Sequence, residues 1–439
     1  MSTGSTSENG TATFVKRVAG TFGVRVLIIV CSFVSGVIIA RWLGSAGVGV
    51  WASLNVITLL AITAGGFGLQ STITFLVARK RETARAILLN SLTFALVAGA
   101  FVVVVLSVLL SAFPQLFGDV PPSLVYVTSA AIPFQMASYF CLGLYLGLER
   151  IRTYNLIDLT MQLSILLNAA VTLVVFKSGI ATLIIANTIA NIAICLVITA
   201  FALRATQGSN ASRVDGALMK EMLGQGSRFF VALVAGIVIL RGDLLIVNSF
   251  RGSEEAGVYA IATQASLFVH MIPNIVSTIL FPRTSAKQDE SGELTCRVTR
   301  HATILLAGLC VIAAPCAFLL PLLYGSGFAG VPVLFLVLLP GVFLLGIETI
   351  QVQHFSGLGL PRAVPVFWMV TMLFNIGLNL ALVPRYGAIA AAAVSTLSYV
   401  IVFVLVSRLF KARTGRTYAE MFLIGREEFA GLRSLVSGS

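Results

Sequence analysis

Long apolar runs separated by short polar joints fill the chain from residue 18 to residue 410. Twelve runs can be drawn. They lie at 18–41, 47–78, 84–112, 123–148, 156–176 and 180–203, and then at 229–250, 256–280, 302–323, 331–355, 363–383 and 388–410. About twenty residues at about 1.5 Å each are enough to cross the hydrocarbon layer of a bilayer as a helix. Barrel strands would alternate at every second position over about ten residues, a pattern these runs lack. The expected fold is therefore all-α and polytopic, with twelve transmembrane helices.

The joints repeat. Gly44-Ser45, three free positions and Gly49-Val50-Trp51-Ala52 return as Gly252-Ser253, three free positions and Gly257-Val258-Tyr259-Ala260. A second pair of stretches agrees: Thr160-Met161, Ile165, Leu167-Asn168 and Ala170 return as Thr371-Met372, Ile376, Leu378-Asn379 and Ala381. Gly179 and Gly387 open the sixth and twelfth runs. A period near half the chain reads as two copies of one unit. Each copy has six runs, an even number, so the copies are expected to be two parallel six-helix lobes and not inverted ones. The expected layout is a disordered cytoplasmic tail at 1–17, an N-terminal lobe at 18–205 and a cytoplasmic linker at 206–228. A C-terminal lobe at 229–411 and a cytoplasmic or interfacial tail at 412–439 complete it. The glycines of the repeated motif suit tight outer turns, and Trp51 and Tyr259 suit membrane-interface anchors.

Composition sharpens this picture. Hydrophobic residues make up 58% and charged residues 10% of the 439 residues, against about 25% charged in an ordinary soluble chain. The net charge of +12 is explained by topology. With the N-terminus inside, 23 of the 29 basic residues fall in cytoplasmic segments and Lys177, Arg251 and Arg385 fall outside, which is the positive-inside pattern. Both termini are expected in the cytoplasm, and no nucleic acid is needed to account for the charge. The six cysteines are scattered and read as small buried hydrophobes, so no metal or cofactor is expected. No phosphate-binding Gly-x-x-x-x-Gly-Lys loop occurs, and the outer loops are too short for a catalytic domain. An enzyme is not expected.

Ionisable groups inside the apolar runs are the candidate chemistry. They are Arg25, Asp158, Arg241, Asp243 and Glu348. Such a group costs about 2.5–3.5 kcal/mol at a helix centre on insertion scales, so a function is the default reading. Arg25 and Arg241 are the candidate substrate-binding residues, with Asp243 and Glu348 as candidate coupling or gating residues. The competing reading for each is a structural ion pair or hydrogen bond that fixes helix register. On an ideal helix Arg241 and Asp243 would point about 200° apart, too far to face one partner together. Asp158 and His354, near run ends, are expected to reach the membrane interface. His270 is expected to be a hydrogen-bonded packing residue, and Gly143-x-x-x-Gly147 a helix-packing face.

Several of these stretches carry a resemblance. Ala40-Arg41-Trp42-Leu43-Gly44 through Gly49-Val50-Trp51-Ala52, with Gly66-Phe67-Gly68-Leu69, resembles the start of bacterial polysaccharide flippases. These form the oligosaccharide-lipid branch of the multidrug/oligosaccharidyl-lipid/polysaccharide exporter superfamily. Asp243 with Gly257-Val258-Tyr259-Ala260 and Phe281-Pro282-Arg283 is similar to that family's seventh and eighth helices. Asn379 with Val383-Pro384-Arg385-Tyr386-Gly387 is similar to its eleventh-to-twelfth turn. The resemblance implies two lobes around a central cationic cavity in the bacterial inner membrane. It also implies export of an undecaprenyl-diphosphate-linked oligosaccharide to the outer leaflet for surface or exopolysaccharide synthesis. The partners it implies are the lipid-linked oligosaccharide, membrane lipids, a coupling proton or sodium ion, and polysaccharide polymerase and chain-length machinery. Two departures stand out. The first run lacks the acidic residue expected of a drug/cation antiporter, and twelve helices are fewer than the peptidoglycan-precursor branch has. A cation-coupled multidrug antiporter of the same fold and a non-transporting assembly scaffold are the alternatives.

Overall fold

The computed structural model describes the backbone of residues 5–79, 83–207, 214–287, 289, 291–358 and 360–423; side chains are described within these except at 5–22, 228, 272 and 275–287. All of the described regular structure is helical. The chain divides into two compact units, Met1–Val234 and Ala235–Ser439. The first contains α1 (Ser5–Gly65), α2 (Leu69–Arg79), α3 (Ala84–Ala112), α4 (Pro122–Ala130), α5 (Ile132–Gly147), α6 (Ile151–Ala169) and α7 (Ile180–Ala205). The division falls within α8 (Gly216–Ile237), and the second unit continues with α9 (Asp243–Lys287), α10 (Glu293–Cys316) and α11 (Leu320–Tyr324). It ends with α12 (Val331–Leu358), α13 (Ala363–Thr414) and α14 (Tyr418–Phe422).

Among the described residues, eight helices are long and apolar enough to cross a membrane, or nine if α4 and α5, bent by 41° at their joint, form one span. The protein is a multi-pass membrane protein. Three of the long helices are broken internally by a glycine in the left-handed region: Gly44 in α1 (φ 67°), Gly252 in α9 (φ 82°) and Gly387 in α13 (φ 64°). These are the repeated joints of the sequence. A residue with a Cβ is strained there, whereas glycine is not.

Several boundaries differ from the expected ones. α1 begins at Ser5, inside the stretch expected to be disordered, because extending an existing helix costs far less than nucleating one. α8 begins at Gly216, inside the expected linker. Its first turns put Leu218, Met222 and Leu223 at helical spacing, and Met222 is fully buried in the first unit's core. The second apolar run breaks at Gly66-Phe67-Gly68, where Phe67 and Gly68 both have positive φ. A Cβ on Gly68 would strike the Gly226 carbonyl, and one on Gly226 would strike the Phe67 carbonyl. This turn therefore needs glycine on both sides for its close approach to α8, and the Phe67 and Phe230 rings pack 4.8 Å apart beside it. The charged stretch 283–300 is helical at both ends, since α9 reaches Lys287 and α10 starts at Glu293. The apolar tail positions beyond residue 423 lie outside the described residues.

The first unit's core is built by α2, α3 and α5, with Leu69, Ile73, Ile87, Met136, Phe140 and Leu144 nearly inaccessible. Gly143 and Gly147 sit so close to the Gln70 and Thr74 carbonyls that a Cβ would not fit, and the Thr74 hydroxyl donates to the Gly143 carbonyl at 3.0 Å. The second unit is organised on α12. Over half of its apolar window is buried (56%), against 11% for α10.

Candidate functional site

In the first unit, Arg25 on α1 meets Asp158 on α6. Its Nη1 donates to the Asp158 carboxylate at 2.5 Å, both side chains retain 31% accessibility, and the guanidinium lies over the Tyr154 ring at 5.7 Å. A pairing partner 133 residues away holds Asp158. A half-exposed pair of this kind contributes about 0–1 kcal/mol. It is cheap to separate.

The same helix carries a polar stripe, Thr160, Ser164 and Asn168, at four-residue spacing. These residues line an open groove of about 400 Å³ with Leu163, Leu167, Val171 and Ile194. Asn168 donates to the Ser164 hydroxyl at 3.3 Å and the Thr172 hydroxyl to the Asn168 carbonyl at 2.6 Å. Past Ala169 the helix widens into a π-turn, Ala170–Val175.

In the second unit, Asp243 is only 2% accessible. Its Oδ2 accepts from the Tyr259 and Ser395 hydroxyls, each at 2.5 Å, and its Oδ1 from the Leu244 N–H at 2.8 Å. Three donors make a carboxyl group tolerable in this interior. Tyr259 is fully buried, so the expected interface anchor is instead a ligand of Asp243. The repeated motif thus supplies a site residue in its second copy.

Arg241 and Asp243 lie at a local change of helix pitch. The residues before Asp243, Val238–Gly242, form a π-turn. Arg241, half-buried, acts electrostatically on Asp243, Tyr259 and Tyr399 together. The two groups share their surroundings.

A polar seam continues from Ser395 along α13. Asn375 donates to the Ser398 hydroxyl at 2.9 Å, and Asn379 donates to the Asn375 side-chain oxygen at 3.0 Å. Thr371, Asn375 and Asn379 are sealed, at 0%, 1% and 0% accessibility.

Glu348 on α12 is buried at 1%. Trp368 is its hydrogen-bonding neighbour, and its Oε1 has no partner among the described residues. One and two turns on, Gln351 accepts from the Ser407 hydroxyl at 2.9 Å, and His354 Nδ1 meets the Thr295 hydroxyl at 2.9 Å. His354 is also buried at 1%, with its ring against Phe355 and Phe410, and does not reach the interface as expected. His270 is the hydrogen-bonded packing residue that was expected, with Nε2 3.0 Å from the Thr349 hydroxyl. The structure thus groups Arg241 with Asp243 and gives Arg25 and Glu348 separate surroundings. Sequence reasoning missed Ser395 altogether, and missed the partners of Asp158 and Tyr259. Asp158 carried a signal as an acidic residue within an apolar run, and Tyr259 as the aromatic of the repeated motif.

The fold defines a class, that of a helical, multi-pass membrane protein. The structure resembles that of "Lipid II flippase MurJ, inward closed conformation" with a TM-score of 0.73 at 15% identity, over 95% of this chain and 90% of that one. It also resembles an inward-facing multidrug resistance MATE family transporter of the MOP superfamily, with a TM-score of 0.71 at 13% identity, over 89% and 96%. At such identities the likeness concerns the fold alone. Residues 38–331 match the family model described as "Polysaccharide biosynthesis protein", and the chain belongs to that family. The family expected from the motifs is the one found. Arg241 and Asp243 lie inside the matched segment, whereas Arg25 and Glu348 lie outside it. A curated relative, "Probable flippase AglR" of Haloferax volcanii, is 28% identical over 183 residues, which is 38% of this chain and 37% of that protein. The alignment therefore spans little more than a third of the relative's length.

Proposed function

We propose that the protein flips an undecaprenyl-diphosphate-linked oligosaccharide from the inner to the outer leaflet of a bacterial inner membrane, for surface or exopolysaccharide synthesis. The observation that carries this reading is a pairing: membership of the polysaccharide biosynthesis family and the fold of a lipid II flippase over nearly the whole chain. A diphosphate headgroup does not cross lipid bare, and arginine pairs with phosphate through a two-pronged contact. Arg25 and Arg241 are the assigned headgroup residues. Asp243, with Tyr259 and Ser395, and Glu348 are assigned to coupling by a proton or a sodium ion. Outward movement of negative charge is itself favoured by an inside-negative potential, by about 2.3 kcal/mol per charge per 100 mV.

In this reading each of the three glycine-broken helices crosses twice. The apolar stretches that include Gly44 and Gly252 are 43 residues long, about 65 Å as straight helix against about 30 Å of hydrocarbon. Splitting them and α13 gives twelve crossings, two six-helix lobes working by alternating access, and both termini in the cytoplasm. The MATE-like fold supports a second reading, a cation-coupled drug antiporter, in which deletion alters drug susceptibility and leaves polysaccharide unchanged.

The test is a proteoliposome assay with lipid-linked oligosaccharide. Arg25→Ala and Arg241→Ala are each expected to slow flipping at least about tenfold, the loss of one charge-assisted contact. Wild-type rates in both variants would end this assignment.

A further inference from the structure

Arg25 is not idle in the structure. Its partner, Asp158, comes from another helix, is as accessible as Arg25 itself, and meets it through Nη1 beside the Tyr154 ring. A carboxylate in that place stands where a phosphate oxygen would stand. The Tyr154 face limits how the guanidinium turns, and the half-open geometry leaves a polar ligand a way in. Half-exposed ion pairs are weak, and guanidinium–diphosphate pairs are stronger and two-pronged.

We propose that Asp158 is an internal competitor for the diphosphate-binding guanidinium of Arg25. The carboxylate holds Arg25 between turnovers, gives it up to an incoming diphosphate, and reclaims it to discharge the group. The idea rests on the flippase reading for its purpose but not for its chemistry, which needs only a diphosphate and these two side chains. Asp158 is thus a positioning residue: it sets how tightly Arg25 holds its ligand. The ion pair costs affinity and gains release, a trade that suits a carrier better than a receptor.

The chemistry can be tested without the lipid. Inorganic pyrophosphate is titrated onto the purified full-length protein by calorimetry. Asp158→Asn is expected to bind it up to about fivefold more tightly than wild type, the scale of a lost competing pair. Asp158→Glu, which keeps the competing charge, is expected to stay near wild type, and the Arg25→Ala/Asp158→Asn double variant to lose the gain. Unchanged affinity in Asp158→Asn, or a gain that survives in the double variant, overturns the proposal.

Should Asp158→Asn fail to fold, the wild-type protein carries the test. Carbodiimide labelling of Asp158 is expected to rise and saturate with added pyrophosphate, and flat labelling overturns the exchange. Polyprenyl diphosphate in micelles is expected to compete with pyrophosphate; absence of competition would assign the site to a free phosphate and overturn the lipid arm. In vesicles, Asp158→Asn is expected to lower the half-saturating substrate concentration and the maximal flipping rate together, a split that a purely structural pair would not produce. Pyrophosphate exchange in a protein that flips no lipid would sink the flippase reading alone. Flipping that ignores Arg25 would sink the exchange alone.

Discussion

The two units carry the same repeated stretches and treat polar groups in opposite ways. The offset of 208 residues between Gly44 and Gly252 sets Ser35 against Asp243, Trp51 against Tyr259 and Asn187 against Ser395. In the second unit these positions form a buried, fully bonded carboxylate node. In the first, the Ser35 hydroxyl turns back to the Ser32 carbonyl of its own helix at 3.0 Å, and the Asn187 side-chain oxygen has no partner among the described residues. The second repeat shows a similar inversion. Thr160, Ser164 and Asn168 open into a groove, while their counterparts Thr371, Asn375 and Asn379 are sealed. One copy keeps its ion pair and polar stripe within reach of a ligand; the other seals its polar groups in the interior, where Thr371 Oγ1, Asn379 Oδ1 and Glu348 Oε1 find no partner among the described residues. The first is built to meet something, and the second to hold a defined internal state.

The sharpest way to break this contrast is to give the second unit the residue of the first. Asp243→Ser removes the acceptor of Tyr259 and Ser395 and leaves two buried hydroxyls to find each other at 3.5 Å. Flipping in vesicles is expected to fall about a hundredfold, near 2.7 kcal/mol of barrier, with the protein still extracted as a monodisperse species. Full activity would mean that the node is structural and that the asymmetry of the units has no part in transport.

A second test compares the stripes. Asn375→Leu removes the bond to Ser398 and the acceptor of Asn379 in a sealed site, and is expected to cost about 2–3 kcal/mol through stranded polar groups and overpacking. Ser164→Leu, its counterpart in the open groove, is expected to change stability by less than about 0.5 kcal/mol. Thermal unfolding of both in one detergent measures the difference; equal losses would show that the groove is no more open than the seam.

Much of this was legible from the pattern of residues. The helix expected at 84–112 coincides with α3, and the repeated glycines mark true breaks, because an apolar run and a left-handed glycine are both local features. What escaped was non-local or depended on a local change of pitch. Nothing in single-chain periodicity links Arg25 to a carboxylate 133 residues on. A π-turn precedes Asp243, and β-branched Val238 and Ile239 did not announce it. Tyr259 read as an interface aromatic by its position at a run's end, and only the packing shows its hydroxyl turned inward. The early start of α8 was visible in the spacing of Leu218, Met222 and Leu223 but was outweighed by the glycines and charges around them.

The glycine breaks offer a smaller comparison. A Cβ at Gly44 would meet open space, while one at Gly387 would collide with the Glu255 carboxylate that caps the Ala388 N–H at 2.6 Å and pairs with Arg251 at 2.9 Å. The first unit has Gly47 where the second has Glu255. Gly44→Ala is expected to cost about 1 kcal/mol, the backbone strain alone. Gly387→Ala should cost about 1 kcal/mol more as the cap is displaced. The two melting temperatures separate these contributions, and Glu255→Gln should recover part of the second cost by loosening the clasp. Identical melting shifts would mean that the clasp adds nothing to the joint.

The least effect is expected at the second unit's C-terminal end, at α14. Thr417 and Glu420 form a reciprocal cap, Glu420 Oε2 accepting from the Thr417 N–H at 2.7 Å and from its hydroxyl at 3.0 Å. The bond from the Thr417 N–H is the main reason that the Glu420 carboxyl lies below the usual carboxylate range, with the Thr417 hydroxyl and Arg416 adding to it. A group depressed on folding stabilises above its unfolded pKa, and the contribution is lost as pH falls through the folded one. The cap is therefore intact at neutral pH and fails only below about pH 4, the ordinary carboxylate value. Hydrogen exchange at the 418–422 amides is expected to be slow at pH 7, after correction for intrinsic rates, and to lose protection on acidification. Thr417→Ala should remove that protection at every pH while leaving flipping unchanged. A transport defect in this variant would move α14 from a surface cap into the working part of the second unit.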